Sequence, residues 1–132
     1  GTSAEARPLY RGLAESELKT LGTEPLITLG AHTVSHPDLA LRSREEQHAE
    51  IAGSKAQLEH FIARPVEHFS YPYGSQNDDS METCAELKLR TAVTCIAQAV
   101  ERGASPFRLP RLLVRDWDGP EFARQLATVS RS

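Results

Sequence analysis

At 132 residues, with 39% hydrophobic and 25% charged side chains, the chain has the size and composition of one soluble domain. A formal net charge of −3, with bases interleaved among acids as in Lys55 to Glu59, excludes the positive stripe that a nucleic-acid surface needs. No apolar run approaches the ~20 residues that span a bilayer, and Cys84 and Cys95 are too few for a disulfide scaffold and read as buried free thiols.

Residues 1–12 read as a poorly ordered lead-in, with Gly1-Thr2-Ser3 an added remnant or part of an excised fragment, and residues 13–132 carry the domain. Leu13, Leu18 and Leu21 share one face of a first helix, and Gly22 is placed to end it in a left-handed conformation. Pro25 then leads into Leu26-Ile27-Thr28-Leu29, a short apolar run that predicts a buried strand. Gly30-Ala31 is its exit, and Pro37 favours a turn at Ser35 and His36. Ser43 with Glu46 forms a capping box for the clearest helix. Ile51, Leu58 and Ile62 mark its apolar stripe, and Glu45, Gln47, Glu50, Lys55, Gln57 and Glu59 its solvent side.

Val66 to Tyr71 predicts a second strand, which runs into Pro72-Tyr73-Gly74 and a polar loop. Ser80 to Leu87 predicts a short helix with Met81, Cys84, Ala85 and Leu87 inward, and Leu89 to Thr94 a third strand. Phe107, Leu109 and the run Leu112-Leu113-Val114 predict a fourth. Asp116-Trp117-Asp118-Gly119 is a turn, and Pro120 opens a last helix whose inner face is Phe122, Leu126 and Val129. This alternation predicts an α/β fold with a largely parallel sheet and outer helices. Such sheets gather their functional groups at the carboxyl ends of the strands, which makes one site of His32, His36, Tyr73 and the Asp116–Asp118 loop.

His32 and His36, four residues apart after an apolar run, are half of a metal site or else capping and hydrogen-bonding groups. A catalytic zinc takes three protein ligands and keeps a position open. Asp38 is near in sequence but sits across the Pro37 turn; Asp116 and Asp118 come from another loop. His48 and His60 lie about 18 Å apart along their helix and read as surface histidines. No Gly-rich phosphate loop or nucleophile elbow is present.

The chain resembles the carboxyl-terminal part of a polysaccharide deacetylase domain of the NodB-like type. The resemblance starts near Glu17-Leu18 and passes through Ile27-Thr28-Leu29-Gly30-Ala31-His32-Thr33-Val34-Ser35-His36-Pro37, Glu50-Ile51 and Leu58-Glu59. It continues through Phe69-Ser70-Tyr71-Pro72-Tyr73-Gly74 and Leu89 to Thr94, and ends with Phe107 to Arg111 and Asp116 to Gly119. It implies an incomplete, distorted (β/α) barrel and metal-dependent hydrolysis of N- or O-acetyl groups on a polysaccharide. His32 and His36 would ligate a divalent cation, zinc being the common one. Tyr71, Pro72, Tyr73 and Trp117 would line the sugar groove, and the Tyr73 backbone N–H would help hold the oxyanion. The family's aspartate pair, general base and third ligand, has no counterpart before His32, which truncation explains. Ser70 stands where the family usually has an arginine, for which Arg111 is the substitute unless it pairs with a local carboxylate. No histidine follows His68, and Asp118 or Asp116 is left as the late acidic group.

These residues alone are therefore expected to be inactive, and the open sheet edge invites self-association. The resemblance allows a cytoplasmic or a cell-envelope location. Two other readings stand beside the deacetylase: a non-catalytic carbohydrate-binding or scaffold relic of the same fold, and an unrelated metal hydrolase completed by Asp116 or Asp118. For Tyr71 and Trp117 the structural alternatives are a core aromatic and a turn anchor.

Overall fold

The computed structural model describes residues 11–129. Helix α1 spans Glu15–Thr23, α2 Arg44–Ile62, strand β1 His68–Ser70, α3 Asp78–Glu86, β2 Thr91–Val93 and α4 Gly119–Val129; single 3-10 turns occupy Leu39–Leu41 and Pro72–Gly74. Strands β1 and β2 pair in parallel, with His68 opposite Thr91 and Ser70 opposite Val93. Single parallel bridges extend this pair on both sides, Ala31 to Phe69 and Val93 to Leu109. Spatial order thus repeats chain order in an α/β fold with a small, unclosed, parallel sheet flanked by helices.

Helix α2 forms where the sequence places its start. Ser43 Oγ accepts the Glu46 N–H at 3.3 Å and the Glu46 carboxylate accepts the Ser43 N–H at 2.8 Å, each satisfying an orphan donor of the first turn. Ile51 is buried and Leu58 and Ile62 pack half-buried on the core. Gln47, expected on the solvent side, is buried because its Nε2 donates to the Arg42 carbonyl at 2.9 Å. His48 and His60 are exposed. In α3 the inward residues are Ser80, Thr83 and Cys84, while Ala85 faces solvent. Asn77 caps this helix by accepting the Ser80 N–H at 3.1 Å, starting it earlier than the apolar pattern suggested. The core joins Leu39, Ile51, Val66, Phe69, Tyr71, Cys84, Leu89 and Ala92.

Three elements differ from their sequence expectation. Gly22 lies inside α1 and is buried; a Cβ there would meet Ile62 Cβ at 2.9 Å, so close helix packing accounts for the glycine. Leu26 to Leu29 forms no strand: Leu26 is 97% exposed and the sheet begins only at Ala31, whose N–H donates to the His68 carbonyl at 2.8 Å. Leu112 to Val114 forms none either, with Leu113 and Val114 exposed. The fourth sheet position is Leu109, which donates to the Ala92 carbonyl at 3.0 Å and accepts the Thr94 N–H at 2.8 Å. Pro110 follows and has no N–H with which to extend that ladder.

Residues 1–10 lie outside the described residues. Of the expected lead-in only Arg11 and Gly12 are described, and Arg11 is tied at 2.5 Å to Glu17, whose carboxylate also accepts the Ala14 N–H ahead of α1. Of the two thiols only Cys84 is buried; Cys95 is exposed.

Candidate active site

His32 follows the bridge residue Ala31 directly, so the sheet delivers it at the carboxyl end of the first parallel segment. Its Nδ1 lies 2.6 Å from the Ser70 carbonyl. A carbonyl only accepts, so Nδ1 carries the proton and a neutral ring keeps its Nε2 lone pair for another partner. The His36 ring stands edge-to-face with His32, centroids 4.8 Å apart at 75°. Tyr73 meets His36 in the same way, at 4.8 Å and 80°. The structure therefore joins His32, His36 and Tyr73 in one chain of rings at the carboxyl edge of the sheet.

The backbone under these rings is unusual. Thr33, His36 and Tyr73 all take left-handed conformations, with φ of 65°, 58° and 57°, each costing a non-glycine residue roughly 1–2 kcal/mol. Local bonds hold them there. Thr33 Oγ1 accepts the His36 N–H at 3.1 Å. The Tyr73 turn closes through Gly74 N–H to the Tyr71 carbonyl at 2.9 Å and Ser75 N–H to the Pro72 carbonyl at 3.0 Å. Gly74 at φ +71° has no room for a side chain, since a Cβ would fall 2.5 Å from Cys95 N. Ser75 Oγ donates to the Asp38 carboxylate, which stitches this turn to the histidine loop.

Sequence reasoning placed Glu50 on the solvent side of α2. Instead its carboxylate accepts Val34 N–H at 2.8 Å, Ser35 N–H at 2.9 Å and Ser35 Oγ at 2.6 Å. Burial pushes its pKa up, but those donors, with Arg42, outweigh it and leave the carboxyl below the ordinary range. The signal in the sequence was Glu50 preceding the core residue Ile51, which puts it on the flank of the apolar stripe.

The other predicted site residues lie elsewhere. Tyr71 is fully buried, its hydroxyl donating to the Phe107 carbonyl at 2.9 Å, and Pro72 is buried beside it; neither offers a surface to a sugar. Burial also lifts the Tyr71 hydroxyl above its ordinary pKa. Arg111 donates to Cys95 Sγ at 3.3 Å rather than to a carboxylate, and Cys95 in turn abuts Gly74. Asp118 accepts the Glu121 N–H at 2.8 Å, which is the work of a helix cap for α4. Trp117 is half-buried and Asp116 exposed in the same turn. The sheet ends at Leu109, so this later loop is not carried to the histidines. Among the described residues no three His, Cys, Asp or Glu side chains converge to hold a metal, and so Asp116 and Asp118 do not complete a ligand set within the chain.

The sequence model of the polysaccharide deacetylase family matches residues 3–92. The chain belongs to that family. The match lies in the amino-terminal and central part of the chain, which overturns the expectation of a carboxyl-terminal portion running from near Glu17 to Gly119. It begins ahead of Glu17 and stops at Ala92, inside β2; beyond that point, among the described residues, Val93 and Leu109 add to the sheet and α4 has no fully buried residue. A chitooligosaccharide deacetylase of Azorhizobium caulinodans is 35% identical over 95 residues, 71% of this chain and 38% of that protein. The Streptococcus pyogenes deacetylase PplD superposes with a TM-score of 0.79 at 24% identity, over 91% of this chain and 51% of that one. A polysaccharide deacetylase from Bacillus cereus gives 0.78 at 21% identity, over 90% and 38%. At such identities the structural likeness shows the fold, that of an incomplete deacetylase-type β/α barrel. The chain spans 38% of the Azorhizobium relative's length and 36% of a second, from Bacillus subtilis.

Proposed function

We propose that these residues supply the histidine half of a hydrolytic site that removes acetyl groups from an acetylated polysaccharide or oligosaccharide. N-acetyl groups of a chito-oligosaccharide are the first substrate to test, given the named relative. The observation that carries the reading is the ring chain of His32, His36 and Tyr73, with His32 oriented by the Ser70 carbonyl. A ring nitrogen fixed by a carbonyl while the other stays free is how a metal-binding imidazole is usually prepared.

His32 and His36 fit a divalent cation such as zinc as two of its ligands. Bound there, it would polarise an acetyl carbonyl and lower the pKa of water. Tyr73 has two tasks. Its ring is 70% exposed and gives a sugar an apolar face, while its turn offers a backbone N–H toward a developing oxyanion. Pro72 fixes the chain before that amide and competes with no donor of its own. Arg111 and Asp118 are carried as catalytic residues only by the family resemblance; their observed partners give them no such role. Trp117 is a turn residue that could still meet an extended glycan.

The aspartate pair that the resemblance implies as base and third ligand has no counterpart here. The 132-residue chain with added zinc is therefore expected to release no acetate from acetylated chito-oligosaccharides, as read by an acetate-coupled assay; measurable turnover would overturn this. In the whole protein His32→Ala should abolish stoichiometric zinc. That no third donor side chain joins the pair among the described residues favours one other reading, a glycan-binding module without catalysis, for which the whole protein would bind glycan and hold no metal.

A further inference from the structure

The histidine loop is held from outside by helix α2. Oε2 of Glu50 accepts both Val34 N–H and Ser35 N–H, at 2.8 and 2.9 Å, and Oε1 accepts Ser35 Oγ at 2.6 Å. These are two of the three residues between His32 and His36. Three positions on, along the same face of α2, Gly53 leaves space for the loop: a Cβ there would lie 3.0 Å from Val34 Cγ2. Within the loop, Thr33 Oγ1 donates to the His32 carbonyl at 2.5 Å and accepts the His36 N–H. His36 takes φ 58° ahead of Pro37, which disfavours right-handed helical backbone there; without an anchor the loop would relax toward extended backbone, and the His36 ring would swing with it. The carboxylate, from another element, grips the amides of both Val34 and Ser35.

We propose that Glu50 is a positioning residue for the histidine pair: by gripping the Val34 and Ser35 amides it sets the His32–His36 ring geometry and so the affinity of the pair for a divalent cation. The part concerning the cation rests on the function proposed above; the part concerning geometry does not. Residues that orient ligands from behind typically change metal affinity by about 10–100-fold when removed.

The test is solution NMR of the 132-residue chain with its histidine side chains labelled, alone and titrated with zinc. The unaltered chain should show a nuclear Overhauser contact between the two imidazoles and zinc-dependent shifts of both. Glu50→Ala should lose the contact and weaken zinc about 10-fold or more. Ser35→Ala removes only the hydroxyl bond, should weaken zinc less, and decides the matter if Glu50→Ala fails to fold. Arg44→Ala is the control for stability alone. It deletes an ion-pair cluster to Asp79, Glu82 and Glu86 elsewhere on α2 and should lower the melting temperature without moving either signal. Retention of the ring contact and of unaltered zinc affinity in the Glu50 and Ser35 variants would overturn the proposal. If the unaltered chain shows no zinc-dependent shift, the metal reading fails, and the ring contact by itself decides the role of Glu50.

Discussion

The tyrosines of Tyr71-Pro72-Tyr73 divide between core and surface within three residues. Tyr71 is buried and Tyr73 is 70% exposed. The left-handed step at Tyr73 turns its ring out toward His36 just after Tyr71 has turned inward to Phe69, at 5.2 Å edge-to-face. The Tyr71 hydroxyl holds the Phe107 carbonyl and touches Cys84 Sγ at 3.4 Å; burial raises the Cys84 thiol to about 11, which keeps it protonated and inert at neutral pH. Tyr71→Phe should therefore cost about 1–2 kcal/mol of stability, read as a lower urea midpoint. It should leave any glycan affinity unchanged, and a selective loss of glycan binding would return Tyr71 to the groove. The sequence placed Tyr73 at the site but left Tyr71 open between core and groove, because identical residue types flank Pro72 and only the turn's handedness separates them.

At the scale of elements, α2 organises the molecule. Its start was legible from Ser43 and Glu46, since capping is local chemistry. Its end depends on tertiary contacts: Glu59 pairs with Lys55 and accepts the Val66 N–H at 2.9 Å, tying the last turn to the chain entering β1. The Lys55 bond and the Val66 N–H hold the Glu59 carboxyl below its ordinary value of 4.5 against the opposing effect of burial. A carboxyl depressed in the folded state stabilises fully above its unfolded pKa and loses that contribution as pH falls through the folded one. Glu59→Gln should thus lower the melting temperature at neutral pH, and the gap from the unaltered chain should close as pH is lowered below about 4.5. A gap that stays constant across this range would assign the effect to shape rather than charge. The short parallel strands were legible as apolar runs, but their boundaries were not. Leu26 to Leu29 and Leu112 to Val114 have strand composition without partners, whereas Leu109 has partners and only an ordinary sequence.

At the scale of the whole molecule, the sheet is open. Ala31 pairs on one side with β1, and among the described residues no strand lies on its other side. The sheet face carrying His32, His68, Ser70, Thr91 and Val93 lines an open groove of about 560 Å³. Among the described residues no helix is long and apolar enough to cross a membrane. An unpaired edge beside an open face favours pairing between copies, so the chain is expected to self-associate with rising concentration in sedimentation velocity. A monomer at every concentration would show that the edge is already protected. The sequence by itself determined the family's histidine motif, the parallel α/β class and the cap of α2, because each is written in contiguous residues or a short period. Only the tertiary structure decided which polar groups meet. It brought Tyr73 to His36 and turned Glu50 onto the loop between the histidines. It left Asp118 capping its own helix, because the sheet stopped at Leu109 and carried no later residue to the site. Convergence of that kind depends on strand register and backbone handedness, which no single stretch of sequence encodes.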